Sequence, residues 1–309
     1  MPTPPLSDEA VQEALNAYEL EGDYVLAAKK LGVAKQTFRD RVRIALLRGL
    51  KPTVRKDAPR VYSRQRLGRM HLILPDCQIK PGVRTDHLSW ISNYILEKRP
   101  DVIINIGDFA DMESLSSYDK GTLRGEGKRL KSDLQSASDA MDRLMNPILA
   151  CQDYKPELHL TMGNHEDRLS RFANEHPELD QIIGVHMLRY QKWGWKVHPF
   201  LKPVTVDGVS YCHFFVSGEK GYAVSSARAL LTRRTTSSVM GHNQKTDIAF
   251  HPTTHQWGIF CGLCTLHDEQ YLGPQGNFVR RQILVLHEVE EGRFDPMFVS
   301  LRFLEKAYS

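Results

Sequence analysis

The sequence has no apolar run approaching the roughly 20 residues that a membrane-spanning helix needs. Its start, MPTPPLSDEA, has neither a basic segment nor an apolar stretch, so we expect no signal peptide. The five cysteines are an odd number, which argues against a disulfide framework and favours a reducing compartment. Glycine and proline are not in excess, which excludes a low-complexity chain. We therefore expect a globular protein of the cytoplasm with no membrane partner.

Positive charge is concentrated near one end of the chain. The 309 residues contain 41 Lys and Arg against 37 Asp and Glu, and residues 1–69 hold 14 of the basic but only 8 of the acidic ones. A basic segment on a near-neutral body is typical of contact with a polyanion. The alternative is that these basic residues form only a solvent-exposed charged surface with a flexible linker.

Residues 8–49 have the apolar spacing of three helices, with Ser7 placed to cap the first and Gly22 to end it. The stretch AAKKLGVAKQTFRDRV resembles the helix-turn-helix of small bacterial DNA-binding domains, whose second helix enters the major groove. The outward donors of that helix, for phosphates and base edges, would be Lys35, Gln36, Arg39, Arg41 and Arg43. A generic three-helix bundle shows the same spacing and remains the alternative.

Strand-like and helix-like segments alternate from residue 70 onward. Residues 86–98 and a stripe from Leu130 to Leu144 have helical spacing, and residues 283–289 and 297–303 are predicted to be strands that close a second sheet. The other strand-like runs are HLILPD, DVIINIGD, LHLTMGN, VSYCHFFV and TSSVMGH. The pattern predicts an α/β domain. We assign residues 1–50 to a helix-turn-helix-like module, 51–69 to a basic linker and 70–309 to this domain.

Polar residues follow five of these runs. They are Asp76 and Gln78, then Gly107-Asp108-Phe-Ala-Asp111, then Gly163-Asn164-His165-Glu166, then His213, and finally Gly241-His242-Asn-Gln244. Open α/β sheets bind ligands at the carboxyl ends of their strands. Carboxylate, amide and imidazole groups gathered there suit one or two divalent cations.

These motifs, in this order, resemble those of the calcineurin-like metallophosphoesterase superfamily: D-x-H, G-D-x-x-D, G-N-H-[DE], a lone H, and G-H-x-H. The resemblance covers residues 70 to about 270. It implies a two-sheet αββα sandwich with two divalent metals in a cleft at the strand ends. It also implies hydrolysis of a phosphate ester by in-line attack of water activated between the two metals.

The resemblance assigns a role to each motif residue. Asp76, Gln78 and Gln244 would hold the first metal, Asp108 would bridge both, and Asn164, His213 and His242 would hold the second. His165 would lie over the phosphate and protonate the leaving oxygen, with Glu166 orienting it. Arg168 and Arg171 follow on a predicted helix, either as phosphate contacts or as ordinary exposed arginines.

Two glutamines depart from the family pattern. Gln78 and Gln244 stand where it has histidines, and both belong to the first metal. Amide oxygens are weaker donors to borderline ions than imidazoles, so Mn²⁺ is the expected activator, with Mg²⁺, Fe²⁺ or Zn²⁺ as alternatives at one site. We interpret the two glutamines as a change in the metal preference of a functional site. The alternative is a degenerate site that binds a single ion.

Three cysteines are expected to be buried structural residues rather than metal ligands. Cys261 and Cys264 have zinc-knuckle spacing but no second pair nearby, so a buried reduced pair is expected. Cys77, between two predicted ligands, is expected to pack as a small apolar residue.

Three hypotheses of function follow. The first is a metal-dependent phosphodiesterase acting on nucleic acid, with DNA as partner, an assembly that resembles bacteriophage proteins and would work in the host cytoplasm. The second is a hydrolase of small phosphomonoesters or cyclic nucleotides. The third is a DNA-binding protein whose phosphoesterase domain is structural or regulatory. No protein partner is indicated.

Overall fold

The computed structural model describes residues 6–54, 68–269 and 272–309. Contacts divide the chain into two compact units, residues 1–65 and 66–309. The predicted basic linker lies mostly outside the described residues, so its conformation stays a prediction. The first strand of the second unit begins at Arg69, one residue before the predicted boundary. In the part of the chain that is described, no helix is long and apolar enough to cross a membrane.

The first unit contains three helices where three were predicted: α1 (Asp8–Glu21), α2 (Tyr24–Lys30) and α3 (Lys35–Leu47). The Ser7 hydroxyl accepts a hydrogen bond from the backbone N–H of Ala10, a cap that stabilises a helix by about 1 kcal/mol. Helix α1 ends at Gly22, whose φ of 70° favours glycine. The inner faces of the three helices share one small apolar core: Val11, Ala14, Leu15, Ala27, Phe38, Val42 and Ala45.

The second unit is a mixed α/β structure. Its strands are β1 (Arg69–Leu74), β2 (Val102–Asn105), β3 (Glu157–Thr161), β4 (Lys196–His198), β5 (Val204–Val206), β6 (Val209–Cys212), β7 (Val216–Ser217), β8 (Tyr222–Ala223), β9 (Ser238–Met240), β10 (Thr246–Phe250), β11 (Trp257–Cys261), β12 (Gln282–Glu290) and β13 (Arg293–Ser300). Its helices are α4 (Asp86–Lys98), α5 (Leu130–Ala150), α6 (Arg168–Glu175), α7 (Ala227–Arg233), α8 (Gly273–Gly276) and α9 (Leu301–Tyr308).

The strands form two main sheets, as predicted. The first has six strands in the order β13-β12-β1-β2-β3-β4, and the second has five in the order β10-β11-β9-β6-β5. Strands β1 to β4 are parallel to one another, and so are β6, β9 and β11. The carboxyl ends of parallel strands share one edge of their sheet, which is where the predicted ligands lie.

Both faces of the first sheet are buried, which explains why its central strands are continuous apolar runs. On β1, Leu72 and Leu74 pack with side chains of α4 and α5, whereas Ile73 packs with the second sheet. Helix α7 covers the other face of the second sheet through Ala227 and Leu230. The layers therefore follow the order helices, sheet, sheet, helix.

The predicted C-terminal strands need two corrections. They do not close the second sheet, because β12 pairs antiparallel with β1 and thereby extends the first. The predicted strand over 297–303 is also wrong beyond Ser300, where helix α9 begins. The Ser300 hydroxyl accepts a hydrogen bond from the backbone N–H of Phe303 and caps that helix. The cap favours a helix at residues where the apolar pattern alone predicted a strand.

Candidate metal centre

The candidate metal centre lies where five parallel strands end. Strands β1, β2 and β3 are neighbours in the first sheet, and β6 and β9 are neighbours in the second. Each predicted ligand follows one of these ends: Asp76 and Gln78 after β1, Asp108 after β2, Asn164 after β3, His213 after β6, and His242 and Gln244 after β9.

Four of these residues form one tight cluster. The side-chain oxygen Oδ1 of Asn164 lies 2.9 Å from Nε2 of His213 and 2.8 Å from Nδ1 of His242. Nε2 of His213 is also 3.3 Å from Oδ2 of Asp108. Nδ1 of the same ring lies 3.0 Å from the carbonyl of Ile106, so the backbone orients it. These are the residues predicted for the second metal, with Asp108 as the bridge.

Two residues predicted for the first metal lie beside this cluster and are fully buried. Nε2 of Gln78 donates to Oδ2 of Asp108 over 3.2 Å. Oδ2 of Asp76 and Oε1 of Gln78 are buried with no hydrogen-bond partner among the described residues. A half-turn of the Gln78 amide would exchange its oxygen and nitrogen and direct the carbonyl toward Asp108. Two buried oxygens without donors are what a hard cation would satisfy.

Gln244 stands at the edge of the centre. It is half-buried, two residues beyond His242 in the same turn, and its φ of 53° lies in the left-handed region. Its role as a ligand of the first metal stays a prediction.

Several of the predicted ligands have a left-handed backbone conformation. Gln78, Asp108 and His242 have φ values of 48°, 51° and 65°, a region that costs non-glycine residues about 1–3 kcal/mol each. Gly163 and Gly241 permit the close approach of the loops, since a Cβ on the first would collide with Oδ1 of Asp108 and one on the second with Oδ1 of Asp76. The surrounding packing therefore holds the ligands in conformations that their own backbones disfavour.

Burial and neighbouring charges shift the pKa of three side chains in the centre. Burial raises the pKa of Asp76 to about 7. Burial opposes protonation of His213, but the Asp108 carboxylate outweighs it and raises the pKa of His213 to about 9. Burial and the neighbouring His213 lower the pKa of His242 to about 4. The raised pKa of His213 reflects the attraction of the Asp108 carboxylate for positive charge, which a divalent cation bound there would supply.

His165 is oriented by Asp111. Nδ1 of His165 lies 2.7 Å from Oδ1 of Asp111, and Nε2 of His165 lies 3.7 Å from Oδ2 of Asp108. Arg168 donates to the same Asp111 oxygen over 3.0 Å, and Nζ of Lys80 lies 3.2 Å from the other. Arg168 is therefore held by Asp111 as part of the centre. Asp111 received no role in the sequence analysis, although its place in the G-D-x-x-D motif was a signal.

Glu166 does not orient His165, so this prediction is wrong. Its carboxylate accepts from the backbone N–H groups of Asp108, Ala110 and Gly163 over 2.9, 3.0 and 2.9 Å, and from the hydroxyl of Tyr190 over 3.3 Å. The turn after Gly163 directs this side chain under the loops rather than into the cleft. Glu166 therefore joins the loops that follow β2 and β3.

The predicted DNA-contacting residues lie on α3. Lys35, Gln36, Arg39 and Arg43 are exposed. Arg41 departs from the prediction, because it is half-buried and its Nε is buried without a hydrogen-bond partner among the described residues. It lies three residues after the buried Phe38, on the flank of the apolar stripe.

The chain is similar to two mycobacteriophage proteins. The Gene 54 protein of Mycobacterium phage D29 is 27% identical to it over 198 residues, which are 60% of this chain and 72% of that protein. The Gene 54 protein of Mycobacterium phage L5 is 25% identical over 194 residues, or 58% of this chain and 71% of the phage protein. No protein-family model matches the chain.

Two crystal structures of Vps29 from Entamoeba histolytica also resemble the chain. One is a single mutant, with 10% identity and a TM-score of 0.37 over 75% of this chain and 98% of Vps29. The other is the wild type complexed with Zn²⁺, with 9% identity and a TM-score of 0.34 over 75% and 99%. At these scores the resemblance assigns neither family nor activity.

Proposed function

We propose that residues 66–309 form a calcineurin-like metallophosphoesterase domain and that the protein is a metal-dependent phosphodiesterase acting on DNA. One observation carries the proposal. Donor atoms from five separate strand ends meet in one buried cluster around Asp108, with His165 at its side. Carboxylate, amide and imidazole groups gathered in this way suit divalent ions, and they are the groups that metal-assisted hydrolysis of a phosphate ester uses.

The donor set fits two divalent ions. Asn164, His213 and His242 would hold one, and Asp76, Gln78 and Gln244 the other. Asp108 would contribute to both. The unpartnered Oδ2 of Asp76 and Oε1 of Gln78 support this assignment. Bound ions would supply positive charge to the phosphate and lower the pKa of water.

The chain's own residues bind, orient and move a proton. Burial lowers the pKa of His165, but the Asp108 and Asp111 carboxylates outweigh it and raise that pKa above its usual value, which favours the protonated ring. His165 then donates that proton to the leaving oxygen. Asp111, held by Lys80 and Arg168, keeps the ring in position.

The exposed face of α3 supplies the affinity for DNA in this proposal. Lys35, Arg39 and Arg43 would contact phosphates, and Gln36 a base edge. The concentration of basic residues in the first 69 positions supports a polyanionic substrate over a small phosphate ester.

The proposal is tested by assaying the purified protein with Mn²⁺, Mg²⁺, Ca²⁺ or Zn²⁺ on a chromogenic phosphodiester, the corresponding monoester and a plasmid. We expect hydrolysis of the diester and cleavage of the plasmid, both lost in a chelator and restored by added Mn²⁺. Preference for the monoester with an intact plasmid would favour a phosphomonoesterase. Inactivity with every ion would favour a regulatory domain.

The two glutamines are expected to set the metal preference. A site of carboxylates and amide oxygens suits Mn²⁺ or Mg²⁺, whereas His213 and His242 suit a transition metal. Wild-type protein should therefore be most active with Mn²⁺ and lose one metal more easily on dialysis. The double variant Gln78→His and Gln244→His should retain both metals and tolerate Zn²⁺. Two equally retained Zn²⁺ ions in fully active wild type would contradict this assignment.

The face of α3 is expected to determine DNA affinity without affecting chemistry. Replacing Lys35, Arg39 and Arg43 with Ala should weaken DNA binding and flatten its salt dependence, because fewer counterions are released. The rate on a small diester should not change. A matched control removes three exposed lysines of the second unit, Lys155, Lys202 and Lys220. Equal loss of affinity in both triple variants would show that only net charge matters.

A further inference from the structure

A second group of potential ligands lies behind the candidate metal centre and takes no part in it. The group consists of Cys77, His87 and Cys264, whose ligand atoms all lie within 4.8 Å of one another. All three are buried, with exposed fractions of 1%, 1% and 0%. Both cysteines are free thiols.

The three residues belong to separate parts of the fold. Cys77 lies in the loop after β1, directly between Asp76 and Gln78. His87 is the second residue of α4. Cys264 follows β11, and its backbone N–H donates to the carbonyl of Asp76 over 2.9 Å. The group therefore joins the ligand-bearing loop to a helix and to the second sheet.

The buried imidazole ring of His87 indicates that this position binds a ligand. Both of its ring nitrogens are buried, and no nitrogen or oxygen atom of the described residues forms a hydrogen bond with them; the polar group beside the ring is the thiol of Cys264. A buried polar group whose hydrogen bonds are not satisfied has a free-energy cost. Helix α4 could have avoided that cost with an apolar residue at this position. The other two potential ligands of the group are the sulfur atoms of Cys77 and Cys264, which lie close to the imidazole ring.

The C-x-x-C spacing of Cys261 and Cys264 predicted that these two residues form a pair, and so it did not indicate this group. Cys261 and Cys264 are both buried but face different cores: Cys261 packs between the two sheets and donates to the carbonyl of Met240, whereas Cys264 packs on the helical side of the first sheet. The partner of Cys264 is thus Cys77, far away in the sequence.

We propose that Cys77, His87 and Cys264 form a structural site for a thiophilic divalent ion of the zinc class, separate from the phosphoesterase centre. Thiolate and imidazole are the ligands such ions prefer. Binding releases the two thiol protons to solvent, and two thiolates with one M²⁺ and a neutral imidazole carry no net charge. Neutrality matters because an uncompensated charge is costly in a fully buried position. A water molecule or a backbone carbonyl would supply the fourth ligand of a tetrahedral ion.

The bound ion would brace the loop that presents Asp76 and Gln78. Cys77 is covalently continuous with both residues, so fixing its sulfur restricts the strained backbone of Gln78. This brace acts from outside the cleft, since full burial of the three ligands keeps substrate away from them. Loss of the ion is expected to lower the stability of the protein directly. It should lower activity indirectly, because the loop that presents Asp76 and Gln78 would no longer be held in position.

Cobalt tests the site, because thiolate coordination of Co²⁺ produces a charge-transfer absorption that oxygen and nitrogen ligands do not. The full-length protein is produced in medium containing Co²⁺ in place of Zn²⁺. We expect the thiolate band in wild type, its loss in Cys264→Ser, and its retention in the matched control Cys261→Ser. The band should also persist in Asp108→Ala, which separates this site from the phosphoesterase centre.

Three results would overturn the proposal. They are absence of the band in wild-type protein that contains cobalt, an unchanged band in Cys264→Ser, and a disulfide between Cys77 and Cys264 detected by mass spectrometry of the unreduced protein. Should Cys264→Ser fail to fold, X-ray absorption of the zinc-loaded wild type decides. Sulfur neighbours of zinc support the site, and only nitrogen and oxygen neighbours refute it.

Discussion

The variant Asp108→Ala is expected to lose hydrolysis of a chromogenic diester to below detection. Asp108 occupies the middle of the centre: its Oδ2 lies 3.3 Å from Nε2 of His213 and 3.2 Å from Nε2 of Gln78. Its Oδ1 accepts from the backbone N–H of His165 over 3.0 Å. Removing the carboxylate therefore removes the donor shared by both proposed metals and a contact that positions His165. Metal content measured beside activity should fall as well.

Two comparisons make this result specific. Asp153→Ala removes a carboxylate that is 72% exposed and paired with Arg99 on the surface, so activity should be unchanged. Asp108→Asn keeps the shape and one oxygen donor, so it should bind metal better than Asp108→Ala yet remain severely impaired. Circular dichroism establishes that each variant is folded. Wild-type rates in folded Asp108→Ala would refute the assignment of this centre as a phosphoesterase site.

The variant His165→Ala is expected to slow turnover by roughly 10²–10⁴-fold, the usual contribution of a general acid. Its metal content should not change, because the donor cluster of Asn164, His213 and His242 does not include this ring. The loss should be largest for substrates with poor leaving groups, since these depend most on protonation of the leaving oxygen. The measurement is the rate on a series of diesters of increasing leaving-group pKa.

A surface histidine provides the control for His165. His176 follows α6 directly, and its side chain is 40% exposed, so His176→Ala should behave as wild type. Asp111→Asn tests the orienting role, because it retains the size of the side chain while weakening its hold on the ring. It should reproduce part of the defect of His165→Ala, and the two changes together should cost little more than His165→Ala alone. Equal losses on good and poor leaving groups in His165→Ala would argue against acid catalysis.

Local patterns predicted the elements better than their assembly. Helix α4 spans the predicted residues 86–98, because a strong apolar stripe and an acidic first turn act within one helix. Strands β12 and β13 were predicted as strands but assigned to the wrong sheet. Pairing of β12 with β1 depends on contacts more than 200 residues apart, such as His71 with Leu286, which no local pattern contains.

Local sequence patterns were enough to predict which polar residues stand at the strand ends and in what order, because a polar residue after an apolar strand is a local pattern. They also indicated the α/β architecture and the three N-terminal helices. Which of these side chains contact one another depends on long-range packing, which local patterns do not contain. Asp111 rather than Glu166 contacts His165, because the turn after Gly163 directs Glu166 to the backbone of the neighbouring loop. Cys264 faces Cys77 and His87 rather than Cys261, because the chain after β11 crosses from one core to the other. The direction of a side chain leaving a turn depends on the elements packed around that turn, and those elements come from distant parts of the chain.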